Sequence, residues 1–446
     1  MIKRLLIANR GEIVVRITRT CRKMGIGSVA VYSEADRDAA YVNAADEAVP
    51  IGPANPLQSY LNIDAIIQAA RATGADAVHP GYGFLSERAT FAGAVSDAGL
   101  IWVGPTPEVM KHISSKCYCR HLADSVGVPF IPGTIDPVHD PQEVIAFGRE
   151  HGYPLLLKLD KGGGGKGIER IDSEDQVEGI FQRACSIGNM AFGSSACYIE
   201  QVITQPRHIE IQFVADNYGN CVLLGERECS IQRRHQKIIE EAPSTIVTEE
   251  DREMLFDYSR RLIRKMNYNG AGTLEGLRSE DGHYYFMEVN ARLQVEHGVS
   301  EMLTDSDVVK CQLEIASGEP LRFRQEDVVM QGHAIEARIY AEDPNTFLPS
   351  PGKITELRLP DRGAHLRVDH ALQGNSSVPP YYDPLLAKVI AWGQDRTEAR
   401  NRLVNALLQF RIEGIKTTIP TNLKILKHPK FEQGDFTTAF LAESFG

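Results

Sequence analysis

The chain of 446 residues has no excess of positive charge: 48 Lys and Arg stand against 59 Asp and Glu, a formal net charge of -11. That balance argues against a broad nucleic-acid footprint and favours solubility. Its eight cysteines, at 21, 117, 119, 185, 197, 221, 229 and 311, include no CxxC pair and no paired Cys/His ligand spacing. A structural zinc site and a disulfide framework are thereby set aside, and reduced, mostly buried thiols are expected. No apolar run approaches the roughly 20 residues that span a bilayer. Met1, Ile2, Lys3 and Arg4 lead straight into a strand, with no room for a signal peptide. The expectation is a cytoplasmic protein, bacterial rather than organellar, with neither membrane nor nucleic acid as partner. Two phosphate-binding signatures are missing as well. The first βα turn has only Gly11 where a dinucleotide fold needs GxGxxG, and a P-loop would require glycine at Asp160 and Ser or Thr at Gly167.

What is present suggests a soluble chain of two to four domains, 43% hydrophobic and 24% charged. Leu5 to Ala8 reads as a strand, Ile13, Val14, Ile17 and Cys21 fall near helical spacing, and Val29 to Tyr32 is a second strand. Asn62 can cap a helix through Ala70, and Ala77 to His79 and Ile101 to Val103 read as buried strands. This βα alternation is that of a doubly wound parallel sheet. The loop Pro80 to Glu87 follows a strand end, where such sheets open their crevice, which makes Tyr82 a site candidate; a tight turn with a packed aromatic is the plainer alternative.

The densest chemistry lies between 288 and 297: Glu288, Asn290, Arg292, Gln294, Glu296 and His297 follow an apolar strand. Glu288 and Asn290, two apart, share one face. Ser279 to Gly282 is a hairpin signal that folds Glu275 back beside Glu288. A lone glutamate on a strand is usually solvated. Hard oxygen donors converging from one face instead suit Mg²⁺, whose other positions go to water and phosphate, so the pattern points to a nucleotide. Upstream, the strand from Tyr153 to Leu159 carries Lys158 into a loop with glycine at 162 to 165, ahead of a strand at Ile168 to Ile171. Four glycines cost folding entropy. A lid closing over a triphosphate accounts for them better than a solvated hinge does. His208, Glu210 and Gln212 alternate with Ile209, Ile211 and Phe213 along a further strand. The charged run from Glu226 to Lys237 is either a solvated face or a lining that neutralises phosphate. Beyond 329, strands at Gly332 to Tyr340, Lys353 to Leu359 and Leu386 to Trp392 precede a helix from Thr397 whose apolar face is Ala399, Leu403, Ala406, Leu407 and Phe410.

Taken with IANRGEI near the start, HPGYGFLSE at 79 to 87, GGGGKG at 162 to 167, RHIEIQ at 207 to 212, ERECSIQRRHQK at 226 to 237, MEVNARLQVEH at 287 to 297 and EARIYAEDPNTFLPSPGKI at 336 to 354, the chain resembles biotin carboxylase over nearly its whole length. This is the ATP-grasp component of acetyl-CoA, propionyl-CoA and pyruvate carboxylases. The resemblance implies an α/β N-terminal domain over 1–113, an α+β ATP-grasp domain over 114–328 with a mobile lid at about 131–203, and a mixed α/β C-terminal domain over 329–446. It implies ATP with Mg²⁺, Mn²⁺ being an alternative, and bicarbonate and biotin as substrates, the biotin borne on a separate carrier protein. By the same likeness Lys116 and Lys158 hold phosphates under Gly163, Gly164 and Gly165. Glu200 and Val202 meet adenine, while His208, Gln232 and His235 meet ribose or phosphate. Glu275, Glu288 and Asn290 hold the metal. Glu296 is the general base, Arg292 and Lys237 hold the anion, and Arg338 faces the biotin ureido oxygen, with Gln294 and Val295 beside the substrate and Tyr82 near biotin. A homodimer with carrier and carboxyltransferase partners is expected, the final acceptor being invisible here. Another ATP-grasp ligase and a catalytically silent nucleotide-binding subunit remain as alternatives. Lys161, Gln201, Gly276, Gly298 and Lys23 depart from the usual pattern, Gly298 taking the place of a proline and thereby loosening the backbone after the base.

Overall fold

The computed structural model describes residues 1–162, 167–361 and 363–445; the expected lid glycines Gly163, Gly164 and Gly165 lie outside them. The chain begins β1 (Arg4–Ile7), α1 (Glu12–Met24), β2 (Gly27–Ser33), β3 (Glu47–Gly52), α2 (Ile63–Ala72), β4 (Ala77–His79), α3 (Ala89–Asp97) and β5 (Ile101–Trp102). All five strands are parallel, in the order β3-β2-β1-β4-β5. The winding reverses between β1 and β4, and the loops after these two strands form the crevice expected there. Asn9 joins them, its amide donating to the carbonyls of Pro80 at 2.7 Å and Tyr82 at 2.8 Å. The α1 stripe of Ile13, Val14, Ile17 and Cys21 is buried as expected, and Asn62 caps α2 by accepting from the Ala65 N–H at 3.1 Å.

Next come α4 (Pro107–Ile113), α5 (Lys116–Ser125), α6 (Pro141–His151), β6 (Leu155–Leu159), β7 (Ile168–Ile171), α7 (Val177–Phe192) and β8 (Cys197–Gln201). β6 lies between β7 and β8 in a small antiparallel sheet. Leu155, Leu157 and Leu159 turn one face of β6 into a core with Val144, Val177 and Ile199. Alternation then sends Lys158 to the opposite face.

The remaining elements are β9 (Arg207–Ala215), β10 (Cys221–Arg233), β11 (Gln236–Ala242), α8 (Glu249–Met266), β12 (Gly270–Arg278), β13 (Tyr284–Asn290), α9 (His297–Thr304), α10 (Val308–Ala316), β14 (His333–Tyr340), β15 (Gly352–Lys353), β16 (Glu356–Arg358), β17 (Leu366–His370), β18 (Ser377–Val378), β19 (Leu385–Gly393) and α11 (Arg396–Gln409), followed by short C-terminal pieces. Eight of these strands form one sheet, β13-β12-β9-β10-β11-β14-β19-β17, which runs unbroken from the central part of the chain into its C-terminal part. The single strand expected over 353 to 359 is divided, with β15 and β16 pairing with different partners. Ile335, Ala337, Ile339 and Val389 meet Ala399, Leu403, Ala406 and Leu407 of α11 on one side of the sheet. On the other side Val299 and Leu303 of α9 pack against Ala242, Ala334 and Ile390. By the period of two, Glu240, Glu336, Arg338 and Lys388 share this α9 side.

Candidate active site

The β12–β13 hairpin places Glu275 directly across from Glu288, and Thr273 across from Asn290. The register expected from the turn at 279 to 282 is therefore present. A bulge follows Glu275, and at Gly276 a Cβ would lie 2.7 Å from the carbonyl oxygen of Tyr285. The bare backbone is what lets the two strands close here. Each carboxylate of the facing pair meets its own lysine. Glu288 pairs with Lys116, whereas Glu275 accepts from Lys237 Nζ at 2.9 Å and Gln294 Nε2 at 3.1 Å and lies 3.2 Å from His208 Nε2.

Lys237 is the hub. Its ammonium meets Glu210 at 2.5 Å, Glu296 at 2.7 Å and Glu275 at 2.9 Å, so one cation ties β9, β12 and the segment before α9 to β11. Glu296, fully buried, receives Arg338 Nη2 on its other oxygen at 2.9 Å. The same Arg338 nitrogen lies 2.5 Å from Glu240. Arg292 donates to Gln294 Oε1 at 2.8 Å and Asn290 Oδ1 at 3.1 Å, and its Nε lies 3.1 Å from Glu87. Arg227, wholly buried, closes the network from below through Glu210 at 2.6 Å, Gln212 at 2.9 Å and Ser300 at 2.9 Å.

These contacts set the charges. Burial alone would raise the Glu296 carboxyl, but Lys237, Arg338 and Arg227 outweigh it and hold the group well below the usual carboxylate range. Glu275 is held low in the same way by Lys237 and His208 against its burial. Lys237 goes the other way, its burial overcome by three carboxylates that keep it charged. Glu210 is raised, because burial exceeds the help of Arg227 and Lys237.

The other candidates divide into two groups around this hub. Lys158 pairs with Glu200, which also receives Arg120 at 3.0 Å. The residues expected to meet phosphate and adenine thus engage each other, and Val202 follows directly after β8. Gln232 lies 3.4 Å from His208, while His235 is exposed in the β10–β11 turn at φ 68. On the crevice side the Tyr82 hydroxyl donates to Glu12. Lys388 donates to the Val295 carbonyl at 2.7 Å and lies 3.1 Å from Glu12. The run from Glu226 to Lys237 divides: Glu226, Arg227 and Glu228 on β10 are buried against Arg252, Glu210 and Arg207, Arg234 and His235 are exposed in the turn, and Lys237 on β11 meets the site carboxylates. Gly298 lies in the first turn of α9, where a Cβ would press on Ile390 and come within 3.3 Å of Arg367. Lys23 and Lys161 are exposed.

Sequence reasoning missed Glu240, Glu336, Lys388, Arg227 and Glu12. The available signal was charge inside otherwise apolar strands, Glu336 and Arg338 two apart in HAIEARIY and Lys388 alone in LLAKVIAWG; Glu12 at the start of α1 and Arg227 within a charged run carry no such signal.

The donor set fits a hard divalent cation. Carboxylates come from adjacent strands at one rung, and Asn290 adds an amide oxygen, Oδ1, which accepts from Arg292 Nη2 at 3.1 Å. Among the described residues, ligand atoms within 4.8 Å of one another come in two groups, His208, Glu210 and Glu275, and Glu210, Cys229 and Glu296, while Glu288 is turned toward Lys116. No described helix is long and apolar enough to cross a membrane.

A small three-stranded sheet carrying Lys158 and a larger sheet whose carboxylate hairpin meets Lys116 of α5 define the ATP-grasp class of ligases. Residues 115–324 match the family described as carbamoyl-phosphate synthase L chain, ATP binding domain; residues 1–110 match biotin carboxylase, N-terminal domain, and residues 336–443 match biotin carboxylase C-terminal domain. Biotin carboxylase 1 of Bacillus subtilis is 48% identical over 443 residues, covering 99% of this chain and 98% of that protein. The biotin carboxylase of Campylobacter jejuni, solved as a β-γ-ATP complex, superposes with a TM-score of 0.97 at 42% identity over 99% of both chains. The biotin carboxylase domain of Hydrogenobacter thermophilus 2-oxoglutarate carboxylase, a dimer with MgADP, ADP and bicarbonate, gives 0.96 at 43% identity over 99% of this chain and 98% of that one. The chain belongs to the biotin carboxylase family, the MgATP- and bicarbonate-dependent ligases that catalyse the first half-reaction of biotin-dependent carboxylases.

Proposed function

We propose that this enzyme transfers a carboxyl group from bicarbonate, activated by ATP as carboxyphosphate, to biotin held on a separate carrier protein, with Glu296 as the general base. The observation that carries the reading is the pairing of one buried carboxylate with both Lys237 and Arg338. Bicarbonate is a weak nucleophile until its proton leaves, and a positioned base is worth about 10²–10⁴-fold. Lys237 and Arg292 are the cations that hold the anion, with Gln294 and the Val295 backbone beside it. An arriving anion competes with Glu296 for Lys237; as that contact weakens the carboxylate becomes a stronger base. Arg338 stabilises the negative oxygen that develops on the biotin ureido group, and Tyr82, fixed by Glu12, borders the biotin site.

Lys116 and Lys158 are assigned to ATP phosphates, which displace their present partners Glu288 and Glu200. Glu200 and Val202 are assigned to adenine, and His208, Gln232 and His235 to ribose and phosphate. Glu275, Glu288 and Asn290 would hold Mg²⁺, which when bound neutralises phosphate charge and aligns the terminal phosphoryl group. The glycines at 163–165 serve as the lid. Function is divided among 1–113, 114–328 and 329–446, with the catalytic cleft bounded by all three. The enzyme acts in the cytoplasm as a homodimer, with carrier and carboxyltransferase subunits as partners.

The test is ATP cleavage that requires bicarbonate and is stimulated by free biotin, with Glu296→Gln lowering turnover about 10²–10⁴-fold at unchanged nucleotide affinity. Cleavage indifferent to biotin would instead identify another acyl-phosphate ligase, and unchanged turnover in the variant would remove Glu296 as base.

A further inference from the structure

Behind Arg338, β11 and β14 carry two carboxyl groups face to face. Glu240 and Glu336 are directly paired in the antiparallel ladder, on the side covered by α9, and both are fully buried. Opposed like charges repel across a sheet, and two carboxylates away from water do not both ionise. The nearby cations are committed elsewhere. Lys388 on β19 is tied to Val295 and Glu12, and Lys237 is shared among Glu210, Glu275 and Glu296. Only Arg338 reaches the pair among the described residues, with Nη2 at 2.5 Å from Glu240 and the same nitrogen at 2.9 Å from Glu296. None of the four oxygens of Glu240 and Glu336 has a hydrogen-bond partner among the described residues, the Arg338 contact to Glu240 being an ion pair. From α9 the facing groups are Glu296, His297, whose Nδ1 is 2.7 Å from the Gln294 carbonyl, and the apolar Val299 and Leu303. One guanidinium therefore faces three buried carboxyl groups.

We propose that Glu336 stands as a neutral acid sharing a single proton with Glu240, and that this singly charged pair is a positioning device that sets Arg338 against the base. It rests on the roles given above to Glu296 and Arg338. With one negative charge behind it, the guanidinium is balanced between Glu240 and Glu296. With two, it is drawn back from the base; with none, it folds over Glu296 and away from the substrate oxygen. Burial pushes Glu240 up to about 7, Arg338 opposing and Glu296 adding to the rise. Glu336 is pushed well above the ordinary carboxylate range by burial, with Lys388 opposing and Glu240 adding. The proton is retained through turnover, so no bond to it is broken in the reaction.

Infrared difference spectra of the intact enzyme in H₂O and D₂O, titrated from neutral to mildly alkaline pH, read the protonated carboxyl directly. A buried acid band that persists at neutral pH and is missing in Glu336→Gln is expected. The glutamine amide can donate to Glu240 as the acid does. That variant should keep kcat and the biotin KM within about twofold and lose less activity at high pH, having no proton there to release. Glu240→Gln removes the anchor and should lower biotin-dependent turnover about 10–100-fold with the ATP KM unchanged. Absence of the band in the unmodified enzyme, an unmoved alkaline limb in Glu336→Gln, or a loss in that variant as large as in Glu240→Gln would each overturn the proposal. An unmodified enzyme inert toward bicarbonate and biotin would defeat the functional reading instead, leaving the infrared result to stand by itself.

Discussion

The two sides of β14 differ in what they bury. Ile335, Ala337 and Ile339 face α11, while Ala334, Glu336 and Arg338 face α9. Apolar burial is non-directional, at about 25 cal/mol per Å², so the α11 side can hold the sheet together without fixing any atom to a fraction of an ångström. The α9 side has little to gain from transfer out of water, since burying charges costs several kcal/mol each before pairing returns it. Its ion pairs are tolerated because the other side supplies stability, and what they contribute is preorganisation. Arg338 and Lys237 point at the base before substrate arrives. One strand thus separates stability from chemistry by alternation alone.

The largest effect that would sharpen this contrast is expected from Lys237→Met, which strips Glu210, Glu275 and Glu296 of their common cation. Breaking a buried pair costs about 3–5 kcal/mol, and loss of the positioned charge should lower bicarbonate-dependent ATP cleavage about 10²–10³-fold. Urea denaturation and steady-state kinetics on one preparation read both. On the other side, Leu403→Ala should cost about 2–5 kcal/mol by the same denaturation experiment, with turnover per folded molecule held within about twofold. If Leu403→Ala cuts turnover as deeply as Lys237→Met, the division between the two sides is wrong.

How much of this was legible in the sequence follows the same division. The first sheet, the helices at Ile13 and Asn62, and the α11 face were readable because apolar periodicity reports burial directly. The Glu275–Glu288 rung was readable too, since a four-residue turn fixes the register. The network under α9 was not. Glu240, Glu336 and Lys388 come from strands far apart in the chain, and a strand pattern does not say which side a neighbouring helix will cover. Lys158 and Glu200 were singled out separately, but their mutual pairing needed the β6–β8 register, which no local signal carried. The crowding at Gly298 was not legible either, since it comes from how closely α9 approaches β19.

A buried ionic exception on the α11 side gives the next prediction. Glu241 is fully buried beside His333 Nε2 at 2.7 Å and Arg396 at 2.6 Å. Burial alone would raise its carboxyl, but the His333 hydrogen bond and Arg396 bring it down to about 2. A depressed carboxyl contributes stability that is present above its unfolded value, near 4.3, and is lost as pH falls from there through about 2. The contribution at neutral pH is on the order of 3 kcal/mol. Denaturation midpoints followed from pH 6 down to pH 2 should converge for the parent and Glu241→Gln as acid removes what the variant already lacks; parallel curves would show that the pair is not what holds this part of the sheet.

The smallest effect bears on α9, the helix that covers the ionic side. Gly298→Ala gains roughly 1 kcal/mol of helix propensity but introduces a methyl group against Ile390 and Arg367. Overpacking of this kind costs about 1–3 kcal/mol. The nearest obstacle is the end of a flexible isoleucine side chain, so the net change in stability should be a loss of about 1 kcal/mol or less. Activity should suffer more than stability, because Glu296 lies at the N-terminal end of the same helix and a shift of α9 away from β19 carries it off Lys237 and Arg338. The KM for bicarbonate and the turnover number, measured beside the denaturation midpoint, separate the two. A variant that loses stability while retaining full turnover would mean that the base is held by its ion pairs alone and that the close approach of α9 serves only the fold.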